Sequence, residues 1–275
     1  MSFNFFMKTL LVPTNFSVSS AKSLQYATLL AKEFGSKIIV HHTYPQNSPI
    51  HLLSDLENQL HTFVSEYDFE CYTDSENYLK IETSIQQGRE KENIIKIIKK
   101  HDADILILSA KDRSQWEGIP FERLISQTLE QTLSSILIVP SEIELKERIE
   151  HVVFALSLDE EDADIIDSLL LFCEVLGAHL TCLHVSSNKE EKNLVNFQLK
   201  PLQEIYSSIP EEQMSFEITY NKSIQKGISN FLDTKPAQLL VMLTKERSFF
   251  EGLFHRSVSQ GMSFQSKVPV MIVKL

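Results

Sequence analysis

Lys111, Asp112, Arg113 and Ser114 open the stretch KDRSQWEG (111–118). The same phrase returns as KERSFFEG (245–252), with Lys245, Glu246, Arg247 and Ser248 in the matching places. A serine beside two cations and a carboxylate suits three chemistries: a catalytic loop, a cradle for phosphate, or a structural plug. Each triplet nets one positive charge, which attracts an anion, yet the three charges also satisfy one another locally. Residue types alone leave both readings open. After the second phrase, Ser257 and Ser259 lie in FHRSVSQGM, read as a helix start whose free N–H groups and dipole favour an anion. The first copy has Glu122 and Arg123 there. Trp116 and Phe250 are equivalent, as are Gln115 and Phe249, and aromatics at such places fit burial against a neighbouring element. Glu117 and Glu251 are read as caps of the following turn, and Gly118 and Gly252 as points where the chain bends.

Other reactive residues read more plainly. His41 and His42 are adjacent on an apolar run, so on a strand they face opposite ways and do not chelate one metal together. His42 and His184 fall at equivalent strand ends, where hydrogen bonding to a neighbour is the expected role. His51 and His61 are ten apart in a helical pattern, a poor chelating interval. Glu160, Glu161, Asp162 and Asp164 gather at a helix start, where carboxylates complement the positive end of the dipole. Cys71, Cys173 and Cys182 lack metal-ligand spacing and read as reduced thiols. G-x-S-x-G, H-E-x-x-H, C-x-x-C and the glycine–lysine phosphate loop are all missing from the sequence.

The elements that must position these residues are written twice. Residues 9–43 align without a gap on 151–185, placing Ala21 on Ala163, Gly35 on Gly177 and His42 on His184. ADILIL (103–108) then falls on AQLLVM (237–242), and SSILIV (134–139) on VPVMIV (268–273). A duplicated module is the simplest account. Short apolar runs (KTLLV, KIIVHHT, LKIETSI, DILILS, SSILIV) alternate with helical spacing in SSAKSLQYATLLAKEFG, near 50–67, in KENIIKIIKKH and near 121–133. Ser19 or Ser20 is the expected cap of the first helix and Gly35 its end. Strands near 151–156, 179–185, 214–220, 238–243 and 268–274 repeat the plan. The predicted fold is α/β: two tandem doubly wound domains, 1–140 and 150–275. Each is a five-stranded, mostly parallel sheet with helices on both faces. The charged segment PSEIELKERIE (140–150) reads as a solvated linker with a short helical turn.

A net charge of −11 argues against nucleic acid and anionic membrane as partners. With no apolar run of ~18 residues and no cleavable leader in MSFNFFMKTLLVP, a cytoplasmic protein is expected.

LLVPTNFSVSSAKSLQYATLLAKEFGSKIIVHHTY, together with DILILS…SSILIV and QLLVML…VPVMIV, resembles a tandem member of the universal stress protein family. In such domains a loop reading G-x-x-G, nine residues, then G-[ST] holds the phosphates of ATP. An aspartate after the first strand contacts the nucleoside. Here the three glycine places hold Ser109, Asp112 and Glu122 in the first half, with Arg123 at the hydroxyl place. In the second half they hold Leu243, Glu246 and Arg256, with Ser257 retained; the aspartate place holds Asn15 and Ser157. A phosphate cradle uses glycine because a bare backbone turns sharply and aims several N–H groups at one anion. The resemblance therefore implies a residual nucleotide pocket in the second half (Ser157, Lys245, Arg247, Ser248, Ser257). It implies an inactive equivalent in the first (Asn15, Lys111, Arg113, Ser114). The expected function is noncatalytic stress response through protein interaction or regulation. No cofactor or metal is firmly implied; the alternative is a sensor of ATP or another adenine nucleotide in the second half. The halves are expected to pack as an internal pseudo-dimer through SSILIV and VPVMIV, with a homodimer and a protein partner as further assemblies.

Overall fold

TLLVP, ILILS and SILIV have no polar face to offer water, and each is a strand buried along its whole length. They are β1 (Thr9–Pro13), β4 (Ile105–Ser109) and β5 (Ser135–Val139) of a computed structural model. This structure describes residues 7–49, 52–67, 79–110, 121–158, 162–188, 192–244 and 266–274. The other elements of the first half are α1 (Val18–Phe34), β2 (Lys37–Tyr44), α2 (Leu52–Tyr67), β3 (Lys80–Gln87), α3 (Glu90–His101) and α4 (Phe121–Gln131). The second half has β6 (His151–Leu156), α5 (Asp162–Leu176), β7 (His179–Ser186), α6 (Lys192–Ile205), β8 (Met214–Tyr220), α7 (Ile224–Thr234), β9 (Leu239–Thr244) and β10 (Val270–Lys274).

The strands form one ten-stranded sheet in the order β3-β2-β1-β4-β5-β10-β9-β6-β7-β8. The α/β class and the parallel winding within each half are as expected; the two separate five-stranded sheets are not. They are joined because β5 and β10 pair antiparallel, Val270 opposite Ile138, Met271 opposite Leu137 and Ile272 opposite Ile136. All six side chains are 2% exposed or less. Read outward from that seam, the strand order is the same on both sides, as a pseudo-two-fold requires. Helices α1, α2, α5 and α6 cover one face, through residues such as Leu24, Phe63, Ile165 and Leu199. Helices α3, α4 and α7 cover the other, through Ile94, Leu124 and Ile228. Across the seam, Phe34 stacks on Phe172 with centroids 5.1 Å apart, and the Tyr26 hydroxyl donates to the Gln238 carbonyl at 3.3 Å.

Equivalent backbone bonds confirm the sequence offsets. Lys37 N–H donates to Lys8 O and His179 N–H to Glu150 O, both at 2.8 Å. Asp104 N–H donates to Thr9 O and Gln238 N–H to His151 O, both at 2.9 Å. Gly35 and Gly177 end the paired helices α1 and α5 at φ 63° and 62°, a conformation glycine adopts without the cost of a Cβ.

Two local expectations are corrected. The cap of α1 is Ser17, not Ser19 or Ser20: its side chain accepts the Ser20 N–H at 3.1 Å, and Ser19 and Ser20 are buried inside the first turn. Asn15 fixes this start by accepting the Ser17 N–H at 3.1 Å. Residues 140–150 contain a turn but no helix, and they are not simply solvated. Ile143 and Leu145 pack on the core, Ile149 is buried, and Lys22 Nζ donates to the Ile143 carbonyl at 2.9 Å.

The first strand of each half is pinned by one side chain from the loop before the fourth strand. Asp104 Oδ2 accepts the Lys8 and Thr9 N–H groups, each at 2.8 Å. Gln238 Oε1 accepts those of Glu150 and His151 at 3.1 and 2.7 Å. Bonds to a charged acceptor are the stronger, so Asp104→Ala is expected to cost about 2–3 kcal/mol and Gln238→Ala about 1 kcal/mol in urea denaturation. Equal costs would count against this account of the two clamps.

Candidate ligand-binding cleft

In a doubly wound sheet, ligands sit outside the carboxyl ends of strands near the point where strand order reverses. In the first half that point is between β1 and β4. A cleft of about 500 Å³ opens there, with Thr14 and Asn15 from the end of β1 and His42, Thr43 and Tyr44 from β2. Gly88 and Arg89 contribute from the turn after β3, Lys91 from α3 and Arg123 from α4.

The floor is a continuous hydrogen-bonded network. After β1, Thr14 N–H donates to His41 O at 2.7 Å, and the Thr14 hydroxyl shares a hydrogen bond with Ser20 Oγ at 2.9 Å. Phe16 then turns at φ 64° and lays its ring against His42, centroids 4.4 Å apart. His42 Nδ1 donates to the Thr14 carbonyl at 2.8 Å, which fixes the tautomer. Burial holds its pKa below the ordinary histidine value, against the opposing pull of that carbonyl.

His41 points elsewhere, as strand alternation requires. Its Nδ1 donates to Ser84 O at 3.1 Å and its Nε2 accepts from the Thr43 hydroxyl at 2.8 Å. Asn93 extends the chain, donating to Thr43 Oγ1 at 3.4 Å and to Gln87 O at 3.3 Å. Burial lowers the pKa of His41 to about 4, with the Ser84 carbonyl opposing and neighbouring His42 adding a little.

The wall after β3 needs Gly88, whose φ of 134° side-chain-bearing residues rarely adopt, while its N–H donates to Tyr44 O at 3.0 Å. Arg89 precedes α3 and pairs with Glu92 at 3.4 Å. Among the described residues, neither Lys91 nor Arg123 has an ion-pair partner.

The second half keeps the backbone plan with other side chains. Leu158 repeats the turn of Phe16 at φ 67°, and His184 Nδ1 donates to Leu156 O at 3.1 Å. Ser157 is exposed, and its hydroxyl donates to the buried Asp162 carboxylate at 3.2 Å. Asp162 thus serves the start of α5, and the described residues hold no cluster suited to a metal. Asp164 is exposed, while Glu160 and Glu161 lie outside the described residues. So do Lys111, Arg113, Ser114, Lys245, Arg247, Ser248 and Ser257, together with both copies of the repeated phrase, His51 and Cys71. Of the residues singled out as candidate contacts, Asn15 alone is described at the cleft. Burial raises the thiol pKa of Cys173 to about 12 and pushes that of Cys182 well up, so both are poor nucleophiles.

Lys91 and the turn at Gly88 are cleft residues that sequence reasoning missed. Their signal was faint: a glycine followed by REKE between a strand and a helix reads first as a solvated turn.

Residues 7–140 match the Universal stress protein family and form a domain of that family. Solved structures similar over the whole length include a universal stress protein from Archaeoglobus fulgidus. It shares 16% identity, covering 98% of this chain and 97% of that one, with a TM-score of 0.70. A functionally unknown protein from Pseudomonas aeruginosa shares 15% identity over 98% of this chain and 92% of its own, with a TM-score of 0.62. At these identities the likeness establishes the fold. No curated protein matches the sequence significantly. No helix among the described residues is long and apolar enough to cross a membrane.

The network under the cleft sets a pH dependence. His41 stays neutral in the folded protein down to about pH 4, whereas its ordinary value is 6.5. Between those values the unfolded chain takes up a proton that the native state refuses. Its contribution is therefore intact above pH 6.5 and lost as pH falls toward 4, by roughly 3 kcal/mol in all. Urea denaturation across that range should show the loss in the wild type and a shallower slope in His41→Gln. Parallel slopes would place the titrating group elsewhere.

Proposed function

We propose that the chain is a noncatalytic regulator of the universal stress type. In this reading the first-half cleft holds a small ligand, and a protein partner reads the bound state. The observation that carries it is the commitment of the cleft groups that could do chemistry. The Thr14 hydroxyl is spent on Ser20, the Thr43 hydroxyl on His41, and Arg89 on Glu92, while His42, anchored through Nδ1 on the Thr14 carbonyl, keeps an Nε2 acceptor whose basicity burial lowers. A general base or nucleophile needs a free lone pair facing the reacting atom and a matched pKa, and burial moves His42 away from that match. A rigid, pre-satisfied floor suits recognition better than turnover. The internal pairing of β5 with β10 supports the same reading, because each half already has the partner its apolar edge requires.

The second reading is an adenine-nucleotide sensor in the second half. It is favoured by Ser257, retained at the hydroxyl place of the family's phosphate loop, with Lys245 and Arg247 near in sequence.

Leu243, Glu246 and Arg256 replace the cradle glycines of that half, and Ser109, Asp112 and Glu122 those of the first. Each lost charge-assisted bond costs about 1.5–3 kcal/mol, so ATP with magnesium is expected to bind only in the millimolar range. It should also release no phosphate above the blank. Calorimetric titration of the wild type and Ser257→Ala, with a phosphate-release assay, checks this. Micromolar binding lost in Ser257→Ala would establish the second reading, and turnover would overturn the noncatalytic one.

A further inference from the structure

Helices α2 and α6 occupy the same place in the two halves, each between the second and third strands of its half. Both turn apolar residues of one spacing into the core, Leu60 and Phe63 on α2, Leu199 and Leu202 on α6. In that register Asp55, Asn58, Thr62 and Glu66 of α2 fall on Leu194, Phe197, Pro201 and Ile205 of α6. The first four are exposed and polar, as a solvated helix face requires. The second four are also exposed, yet apolar: Leu194 is 55% exposed, Phe197 74% and Ile205 61%. Spacings of three and four residues put them in one row along the helix. The fold accepts a polar row at this place, so folding does not require the apolar one.

Pro201 adds to the anomaly. Inside a helix proline lacks an N–H for the carbonyl four residues back and is strongly disfavoured. Here that carbonyl belongs to Phe197, so an acceptor deprived of its helical donor stands at the root of the exposed ring.

The surroundings say which partner the row suits. Residues 159–212 carry twelve carboxylate side chains and three lysines, a net −9 of the chain's −11. Lys200, on the same helix, is already paired with Glu204 at 3.5 Å. The Tyr206 hydroxyl, one residue past the helix, lies 2.7 Å from Asp167 Oδ1 and 2.9 Å from the Ala163 carbonyl. The end of α6 is thereby set beside the exposed Asp164 and Asp167 of α5. An apolar row in acidic surroundings is complementary to a segment whose apolar anchors are flanked by cations. A second copy is the poorer match, because a two-fold contact sets each patch against its own like charges. An anionic membrane is repelled for the same reason.

We propose that the exposed face of α6 is the docking surface for a cationic amphipathic helix of a partner protein. Leu194, Phe197 and Ile205 anchor its apolar face, and the carboxylates of α5 and α6 hold its lysines or arginines. This inference rests on the reading of the chain as a regulator that acts through a protein partner, and adds the surface and the partner's chemistry.

The test is calorimetric titration of the full chain with three synthetic peptides. One is a helix with leucine on one face and lysine on the other; the second has glutamate for lysine, and the third has lysine but no leucine. The first should bind the wild type, more weakly as salt is raised, and the other two should not bind. Phe197→Asn, which installs the residue found at that place on α2, should weaken binding about tenfold or more, and Ile205→Gln less. The control Leu133→Gln changes a 90% exposed leucine of the first half and should leave binding unchanged. All three side chains are exposed, so their exchange leaves the core intact, and circular dichroism verifies each fold. No binding of the first peptide, equal binding of either of the others, or binding indifferent to both α6 variants would overturn the proposal. So would a wild-type dimer in sedimentation that Phe197→Asn dissociates, which assigns the face to a second copy. Flotation with phosphatidylglycerol vesicles, abolished by the same change, would assign it to a membrane instead. Each of these failures leaves the regulator reading standing, since that reading falls on turnover in the phosphate-release assay.

Discussion

The antiparallel pairing of β5 with β10 is the contact on which the architecture depends. A five-stranded parallel half ends in a strand whose backbone N–H and C=O groups point outward, unpaired. Here that strand is also apolar on both faces. Such an edge recruits another strand. Ile136, Leu137 and Ile138 meet Ile272, Met271 and Val270 in register, so each half satisfies the other within one chain. The strands left at the outer edges are of another kind. Glu82 on β3 pairs with Lys37 and Lys80, and Glu217 on β8 with Lys235. Charged residues on an edge discourage further pairing, so the sheet stops at ten strands.

That seam also fixes where sites can be. Strands within each half are parallel, and the halves run opposite ways. The carboxyl ends of β1, β2 and β4 therefore lie on one rim of the sheet and those of β6, β7 and β9 on the other. A ligand beside Thr14 and Arg123 does not share its pocket with the second half. Each half can keep, lose or exchange its site without geometric consequence for its twin.

Much of this was legible in the sequence, because duplication and strand periodicity speak through apolar residues. The gapless alignment of 9–43 on 151–185 placed Gly35 on Gly177 and His42 on His184, and both pairs repeat their backbone geometry or hydrogen bond. Sequence reading expected SSILIV and VPVMIV to meet across the halves, as they do. It did not supply their meeting edge to edge as one sheet, because an apolar strand looks the same whether a helix or another strand covers its edge. It also placed the cap of α1 too late. Three serines, 17, 19 and 20, are equally good by type, and the choice is made by Asn15 holding the Ser17 N–H. The repeated phrase lies outside the described residues. The described cleft is built from side chains such as Lys91 that carry no motif, and topology alone brings them together.

Comparison of the two halves separates what the fold demands from what a site chooses. The positive φ at Phe16 and Leu158, and the histidine reaching back to the end of the first strand, survive exchange of almost every neighbouring side chain. They are backbone requirements: the chain must reverse there to start a helix, and the carbonyl it leaves behind needs a donor. The side chains around them have diverged by chemical class. Thr14 becomes Leu156, Ser20 becomes the buried Asp162, and Asn93 becomes Gly227, where an added Cβ would meet Val185 at 2.4 Å. In the first half these positions supply hydroxyls and an amide to the cleft and the network beneath it. In the second they supply a carboxylate tied to Ser157 and a close helix–strand contact. Among the described residues, one copy sets a polar floor beneath an open space, while the other turns the same positions toward packing.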